Sequence, residues 1–150
     1  MTERTMSQQA DHLSRRRARM LPLLAAIYLS QQASFFLTAH GAPDRAVDHV
    51  KIGAWLILAI ILLVGLGTGG AWLQPKAVRE LANDETTREH RSRAIEIGFW
   101  TMAGTLIGLY VVSLFEPLGG RDAVHLTLTA GIGASLLMFG MLERRALRGE

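Results

Sequence analysis

The chain has 150 residues, enough for one domain, and about half of them (49%) are hydrophobic. It contains no cysteine, which excludes disulfides, thiolate metal sites and cysteine nucleophiles. Its formal charge is +3, yet no segment outside the apolar stretches carries a motif that reads bases, so we expect no nucleic-acid partner.

Four long windows of the sequence contain no Asp, Glu, Lys or Arg, and they define the predicted elements. An α-helix needs about 20 residues to cross the hydrocarbon layer of a bilayer, which is ~30 Å thick, and each window is close to that length. A soluble helical domain would instead show a polar face along every helix. We therefore predict an all-α, integral membrane four-helix bundle whose spans are residues 20–40, 52–73, 97–115 and 123–142.

The first predicted elements are a basic tail, residues 1–19, and a first span that carries polar side chains at mid-membrane. We expect the tail to become helical only near Gln8. An amide that faces lipid would leave its donors and acceptor unpaired, at a cost of several kcal/mol, so Gln31 should face protein or water. It then serves either as a hydrogen-bonding contact between helices or as the lining of a polar path. The candidate polar site in the membrane consists of Ser30, Gln31, Ser34 and Thr38.

The longest connection, residues 74–96, is predicted to lie in the cytoplasm and to lead into the third helix. Asn83 or Asp84 is a suitable N-cap, and neither Gly nor Pro occurs from there to Gly98. The helix should therefore begin in water, with its first turns projecting from the membrane. Its charged surface is the candidate docking site for a cytoplasmic protein, the alternative being an ordinary solvated loop. That surface comprises Asp84, Glu85, Arg88 and Arg91.

The outer connection between the last two spans is short, so these spans should be antiparallel neighbours. Small residues spaced four apart occur in three of the spans, and such residues let helix backbones approach closely within a bilayer. We interpret them as contacts within one bundle, and the alternative is that one of these faces forms a homodimer. The predicted packing residues are Gly65 and Gly69, Gly104 and Gly108, and Gly131 and Ser135.

The Lys and Arg residues are distributed unequally between the two predicted sides. Five precede the first span, five lie in the 74–96 connection and three lie in the tail 143–150, whereas the other side has Arg45, Lys51 and Arg121. Because cytoplasmic segments carry the excess of Lys and Arg, both termini are predicted to be cytoplasmic. Arginines at a bilayer surface attract anionic headgroups at roughly 1 kcal/mol each, so membrane lipid is a predicted partner.

The remaining polar residues favour neither a metal site nor catalysis. The acids and histidines of the outer side match no metal-ligand spacing, so we expect no metal and no cofactor. No serine has a companion base at a recognisable spacing, and no carboxylate lies deep in a span, where coupled transporters keep one. The sequence favours an interaction or regulatory protein without catalytic activity. The alternative is a small transporter or channel with a polar path lined by Gln31. The outer-side acids and histidines are His40, Asp44, Asp48, His49, Glu116, Asp122 and His125.

One segment resembles known proteins. It reads Asn83-Asp84-Glu85-Thr-Thr-Arg88-Glu-His-Arg91-Ser-Arg-Ala94 and leads into Gly98-Phe99-Trp100. It is similar to a stretch of small bacterial multi-spanning inner-membrane proteins, in which an Asn-Asp-Glu and Arg-rich turn leads into an aromatic helix start. The resemblance covers a short part of the chain. It implies a location in the bacterial inner membrane and no particular activity.

Overall fold

A computed structural model describes residues 3–38, 46–69 and 85–149 of the chain. Side chains are described for these residues except at 3–7, 9–11, 13, 14, 33–38 and 46–49. The described residues form four helices and no strand, which confirms the all-α class. The helices are α1 (Glu3–Thr38), α2 (Ala46–Gly67), α3 (Glu85–Ser113) and α4 (Gly120–Arg148).

The helix ends follow local sequence signals, with one exception. The described part of helix α3 begins at Glu85, and this acid lies in the first turn, where the helix dipole favours a negative charge. The predicted N-cap, Asn83 or Asp84, lies outside the described residues. Helix α4 ends at Gly149, whose φ of 76° is readily adopted only by glycine. Helix α1 differs from the prediction, because it begins at Glu3 rather than near Gln8. The tail consists largely of good helix formers and lacks Gly and Pro, so nothing in it interrupts the helix.

Helix α4 is the central element, and α1 and α3 both pack along it. A Cβ atom added at Gly140 would lie 2.6 Å from the ring of Pro22, and one added at Gly133 would lie 2.8 Å from Leu29. The higher-numbered residue of α1 therefore contacts the lower-numbered residue of α4, so these two helices are antiparallel.

Helices α3 and α4 are also antiparallel, which confirms that the two helices joined by the short connection are neighbours. A Cβ added at Gly98 would lie 2.9 Å from the carbonyl oxygen of Gly131, and one added at Gly131 would meet the Met102 side chain.

Helix α2 runs in the same direction as α4. Trp55, in the first half of α2, stacks on His125 near the start of α4. Gly69, just after the end of α2, accepts a hydrogen bond from Arg17, which pairs with Glu143 near the end of α4. The four helices therefore alternate in direction.

Three of the four described helices contain a stretch long and apolar enough to cross a membrane: α2, over Val50–Gly67, and α3 and α4. Much of their surface is apolar. Large side chains such as Ile57 of α2 and Ile107 of α3 are more than half exposed within the chain. An apolar surface of this extent is typical of a protein in contact with lipid or with another chain. Helix α1 is not among these three.

Candidate functional site

A buried carboxylate joins three helices at one end of the bundle. Oε1 of Glu143 lies 3.2 Å from Nδ1 of His90, and Oε2 lies 3.7 Å from Nε of Arg17. The side chains of Arg17 and Glu143 are each only 6% exposed. A buried charge is tolerated when an opposite charge and hydrogen bonds accompany it, and both conditions are met here. We call Arg17, His90 and Glu143 the inner cluster; it connects α1, α3 and α4.

The same end of the bundle holds the carboxyl end of α2. Nη1 of Arg17 donates to the carbonyl oxygen of Gly69 at 3.0 Å, and Nη1 of Arg91 donates to that of Gly67, also at 3.0 Å. The last carbonyls of a helix have no partner within the helix, and cations stabilise this negative end of the dipole. Two arginines from two other helices therefore fix the end of α2 against the inner cluster.

A second group of polar side chains lies at the opposite end, between α1, α2 and α4. Nε2 of His125 donates a hydrogen bond to Oε1 of Gln32. These two residues are only 5% and 4% exposed. The ring of Trp55 stacks on that of His125, with centroids 4.0 Å apart and an interplanar angle of 17°. We call this group, together with Tyr28 and Thr129, the outer cluster.

Tyr28 and Thr129 bring further buried polar atoms to the outer cluster. The Tyr28 hydroxyl faces the side chains of Thr129 and Trp55. None of these three side chains has a partner at hydrogen-bonding geometry within the described residues. A buried polar atom left without a partner costs about 1–3 kcal/mol. Since the tryptophan N–H only donates while both hydroxyls donate and accept, the three groups are chemically able to pair with one another.

An apolar layer separates the two clusters. His125 and Glu143 are eighteen positions apart on α4, which corresponds to about 27 Å along a helix. Between them Ile132, Leu136 and Phe139 are at most 3% exposed. The buried hydroxyl between the clusters, that of Ser135, lies on the α3 side beside Gly98. The described residues therefore place polar groups at the two ends of a membrane-length interior and apolar groups between them.

The structure places the two described side chains of the predicted polar stripe, those of Ser30 and Gln31, at the surface of the chain. The Ser30 hydroxyl donates to the carbonyl oxygen of Ile27 in its own helix. The side chains of Ser34 and Thr38 lie outside the described ones. The buried amide belongs to Gln32, the residue after the predicted one. Successive helix residues point about 100° apart, so this step of one position separates the surface from the interior.

The predicted docking residues divide into two groups. Glu85 and Arg88 are exposed, and Asp84 lies outside the described residues. Arg91 is half-buried and donates to Gly67, so it holds the bundle together. The next exposed positions on α3 carry an i, i+4 ion pair, with Nη2 of Arg93 3.5 Å from Oε1 of Glu89.

The small residues of α4 lie at a close helix contact, while those of α2 and α3 do not. Gly131 and Ser135 meet Gly98, a position that the predicted pattern does not include. A Cβ added at Gly65, Gly104 or Gly108 would meet no atom within 4 Å. Gly69 follows the end of α2 and has a φ of 65°, so it serves a turn.

Most of the acids and histidines of the outer side either lie outside the described side chains or are exposed. In the described part of the chain, no group of three His, Asp or Glu side chains is arranged to hold a metal. His125 instead contacts Gln32 and Trp55. Comparison of the chain with family models, with curated proteins and with solved structures found no match.

Proposed function

We propose that this chain is an integral protein of the bacterial inner membrane that acts by binding a cytoplasmic protein, without a catalytic step of its own. The observation that supports this proposal most is the rigid helical extension at the inner end of α3. Residues 85–96 contain all six of the Glu and Arg residues of α3, and these twelve residues extend about 18 Å along the helix. The uncharged part begins at Ile97, so the charged turns lie outside the apolar span.

Our proposal includes a fourth span, formed by α1. From Met20 to its end, α1 contains no Asp, Glu, Lys or Arg. It packs along α4, which is long and apolar enough to cross the membrane. Arg17 of α1 pairs with Glu143, and Gln32 pairs with His125, so the two helices are in contact over the same depth. We therefore propose that α1 spans the membrane as well and that both termini lie on the arginine-rich, cytoplasmic side, and the packing of α1 along α4 supports this.

The proposed docking surface consists of the exposed residues Glu85, Arg88, Glu89, Ser92 and Arg93 of α3, which we call the α3 surface. Two neighbouring residues on the other face of this segment anchor it. His90 contacts Glu143, and Arg91 contacts the end of α2. A surface that is already rigid loses little conformational entropy when a partner binds, which favours affinity.

A small transporter or channel is the second proposal. The polar side chains of the outer cluster favour it, because buried polar residues in a membrane interior often mark a substrate pathway. The layer of Ile132, Leu136 and Phe139 favours the binding role instead, since it is apolar over the depth that a pathway would have to cross. Gln31, the predicted lining residue, is exposed on α1.

The test of the proposed function is the substitution Arg88→Glu in the full-length, tagged protein. We expect a specific partner to copurify from mildly solubilised membranes with the unchanged chain and to be lost at least about 10-fold with Arg88→Glu, because charge reversal at a docking surface opposes the partner's charge. Quantitative mass spectrometry measures the ratio. Arg91 is left unchanged, because its substitution would also release the end of α2.

The matched control is Arg121→Glu, which reverses an exposed arginine on the predicted outer side. The same partner should be retained with this variant. Retention of every copurifying protein with Arg88→Glu, or equal loss with both variants, would remove the α3 surface as the docking site. Transport that is abolished by Gln31→Leu in reconstituted vesicles would favour the second proposal.

A further inference from the structure

The inner ends of α1 and α4 lie unusually close together. Ala18 is 1% exposed, and its carbonyl oxygen accepts a hydrogen bond from Nε of Arg144 at 2.9 Å. One turn further into the bundle, the ring of Pro22 lies against Gly140, which has no side chain to keep it away. Side chains of α1 and of α4 that flank this contact therefore lie close to one another.

Arginines from both helices converge on this flank. Arg15 precedes Ala18 by three positions and Arg148 follows Arg144 by four, and such spacings keep residues on one helix face. All of these arginines are exposed, as is Arg19 at the edge of the same face. The next residue along a helix points about 100° away, so Arg16 and Arg145 lie on other faces. We call Arg15, Arg19, Arg144 and Arg148 the arginine groove.

Among the side chains that the structure describes, no acid is paired with Arg15, Arg19 or Arg148 of the arginine groove. The one acid in residues 15–19 and 141–148 is Glu143, and it is turned inward to Arg17 and His90. Like charges in a small area repel one another, and near a membrane of low dielectric constant they attract an anion strongly.

The surface next to the arginine groove is apolar. Leu23 lies one turn beyond Arg19 and is 53% exposed, and Met141 lies one turn before Arg144 and is 50% exposed. Cations followed within one turn by exposed apolar side chains complement a molecule that has a negative head and hydrocarbon tails. The planar guanidinium group is also suited to two-point contact with phosphate oxygens.

We propose that the arginine groove binds the phosphate of an anionic phospholipid from the cytoplasmic leaflet, with its acyl chains along Leu23 and Met141. This inference rests on the part of the proposed function that places the inner ends of α1 and α4 at the cytoplasmic face. It does not depend on the α3 surface, which belongs to another helix and another side of α4.

The test is native mass spectrometry of the full chain in a non-ionic detergent, with phosphatidylglycerol or phosphatidylcholine of the same acyl chains added. We expect the unchanged protein to retain phosphatidylglycerol preferentially. The variant Arg15→Ala/Arg148→Ala should lose about 30-fold in affinity for it, from the attraction that each arginine exerts near a bilayer surface. The control Arg16→Ala/Arg145→Ala removes the same charge from the same two helices and should lose less than about 3-fold.

Three outcomes would overturn the inference: equal retention of the two lipids by the unchanged protein, equal losses in the two variants, or displacement of the lipid by inorganic phosphate. The variant Arg15→Lys/Arg148→Lys keeps the positive charge and should retain the preference for phosphatidylglycerol. This variant tests the site even if the alanine variant does not fold. Loss of the copurifying partner in Arg88→Glu with lipid binding intact would separate this site from the proposed docking function.

Discussion

At the scale of single residues, one position separates two glutamines with different environments. Gln32 is buried and bonded to His125, whereas Gln31 is exposed on the same helix. The amide of Gln32 joins α1 to α4 within the outer cluster, through its hydrogen bond with His125. Gln32 therefore contributes to the stability of the bundle, and separate substitutions of Gln32 and Gln31 can distinguish the contributions of the two residues.

We expect Gln32→Leu to lower the thermal unfolding temperature of the protein in detergent, because it removes the hydrogen bond to a buried imidazole, a loss of about 1–3 kcal/mol. Gln31→Leu is the matched control and should change stability by less than about 0.5 kcal/mol, since the side chain is exposed. Circular dichroism during heating measures both. Equal effects of the two substitutions would contradict the assignment of Gln32 to the interior.

The sequence predicts that α1 carries a polar side chain in need of a partner, but it does not predict which glutamine of α1 is buried or what its partner is. The need of an intramembrane amide for a partner follows from the residue type, but the partner, His125, lies on another helix and its identity depends on packing. The choice between Gln31 and Gln32 depends on a rotation of about 100°, which composition does not determine. The spacing of Ala25, Tyr28 and Gln32 at intervals of three and four was the available signal, because it marks the α1 face that packs inward.

At the scale of helices, α3 has two glycine environments. Gly98 lies at the contact with α4, and Gly104 lies two turns further along with no neighbouring atom within 4 Å of an added Cβ. The bounds of α3 could be predicted because capping residues and helix breakers act locally. Which glycine meets a neighbour could not, because it depends on where α3 and α4 come into register.

We expect Gly98→Ala to weaken the contact between α3 and α4 by about 1–3 kcal/mol, the usual cost of an overpacked site. The added methyl group would lie 2.9 Å from a backbone oxygen of Gly131, which has little freedom to move. Gly104→Ala should be neutral or stabilising, because alanine is a better helix former than glycine by about 1 kcal/mol. Thermal unfolding in detergent distinguishes the two, and a destabilising Gly104→Ala would indicate a contact with a second chain.

At the scale of the whole molecule, His125 of the outer cluster and Glu143 of the inner cluster lie about 27 Å apart along α4. That separation is close to the ~30 Å thickness of the hydrocarbon layer. The distribution of arginines predicts that both termini lie on the same side of the membrane. That prediction depends on the positive-inside rule and not on how the helices pack. The two clusters themselves were not predictable, because each is assembled from residues far apart in the sequence.

The topology can be tested by single cysteines, because the chain has none of its own. In intact cells, an impermeant thiol reagent should label Arg121→Cys and should label Arg88→Cys and Arg148→Cys only after the membrane is permeabilised. Mass-tag gel shifts measure the labelled fraction. Labelling of position 148 in intact cells would place the carboxyl end outside and contradict the predicted cytoplasmic location of that end.

The inner cluster has a consequence for biosynthesis. Arg17 and His90 emerge from the ribosome well before Glu143, so neither meets its carboxylate until α4 has been translated. The inner cluster therefore makes the packing of α1 and α3 at this end of the bundle dependent on α4, because Glu143 is its one carboxylate.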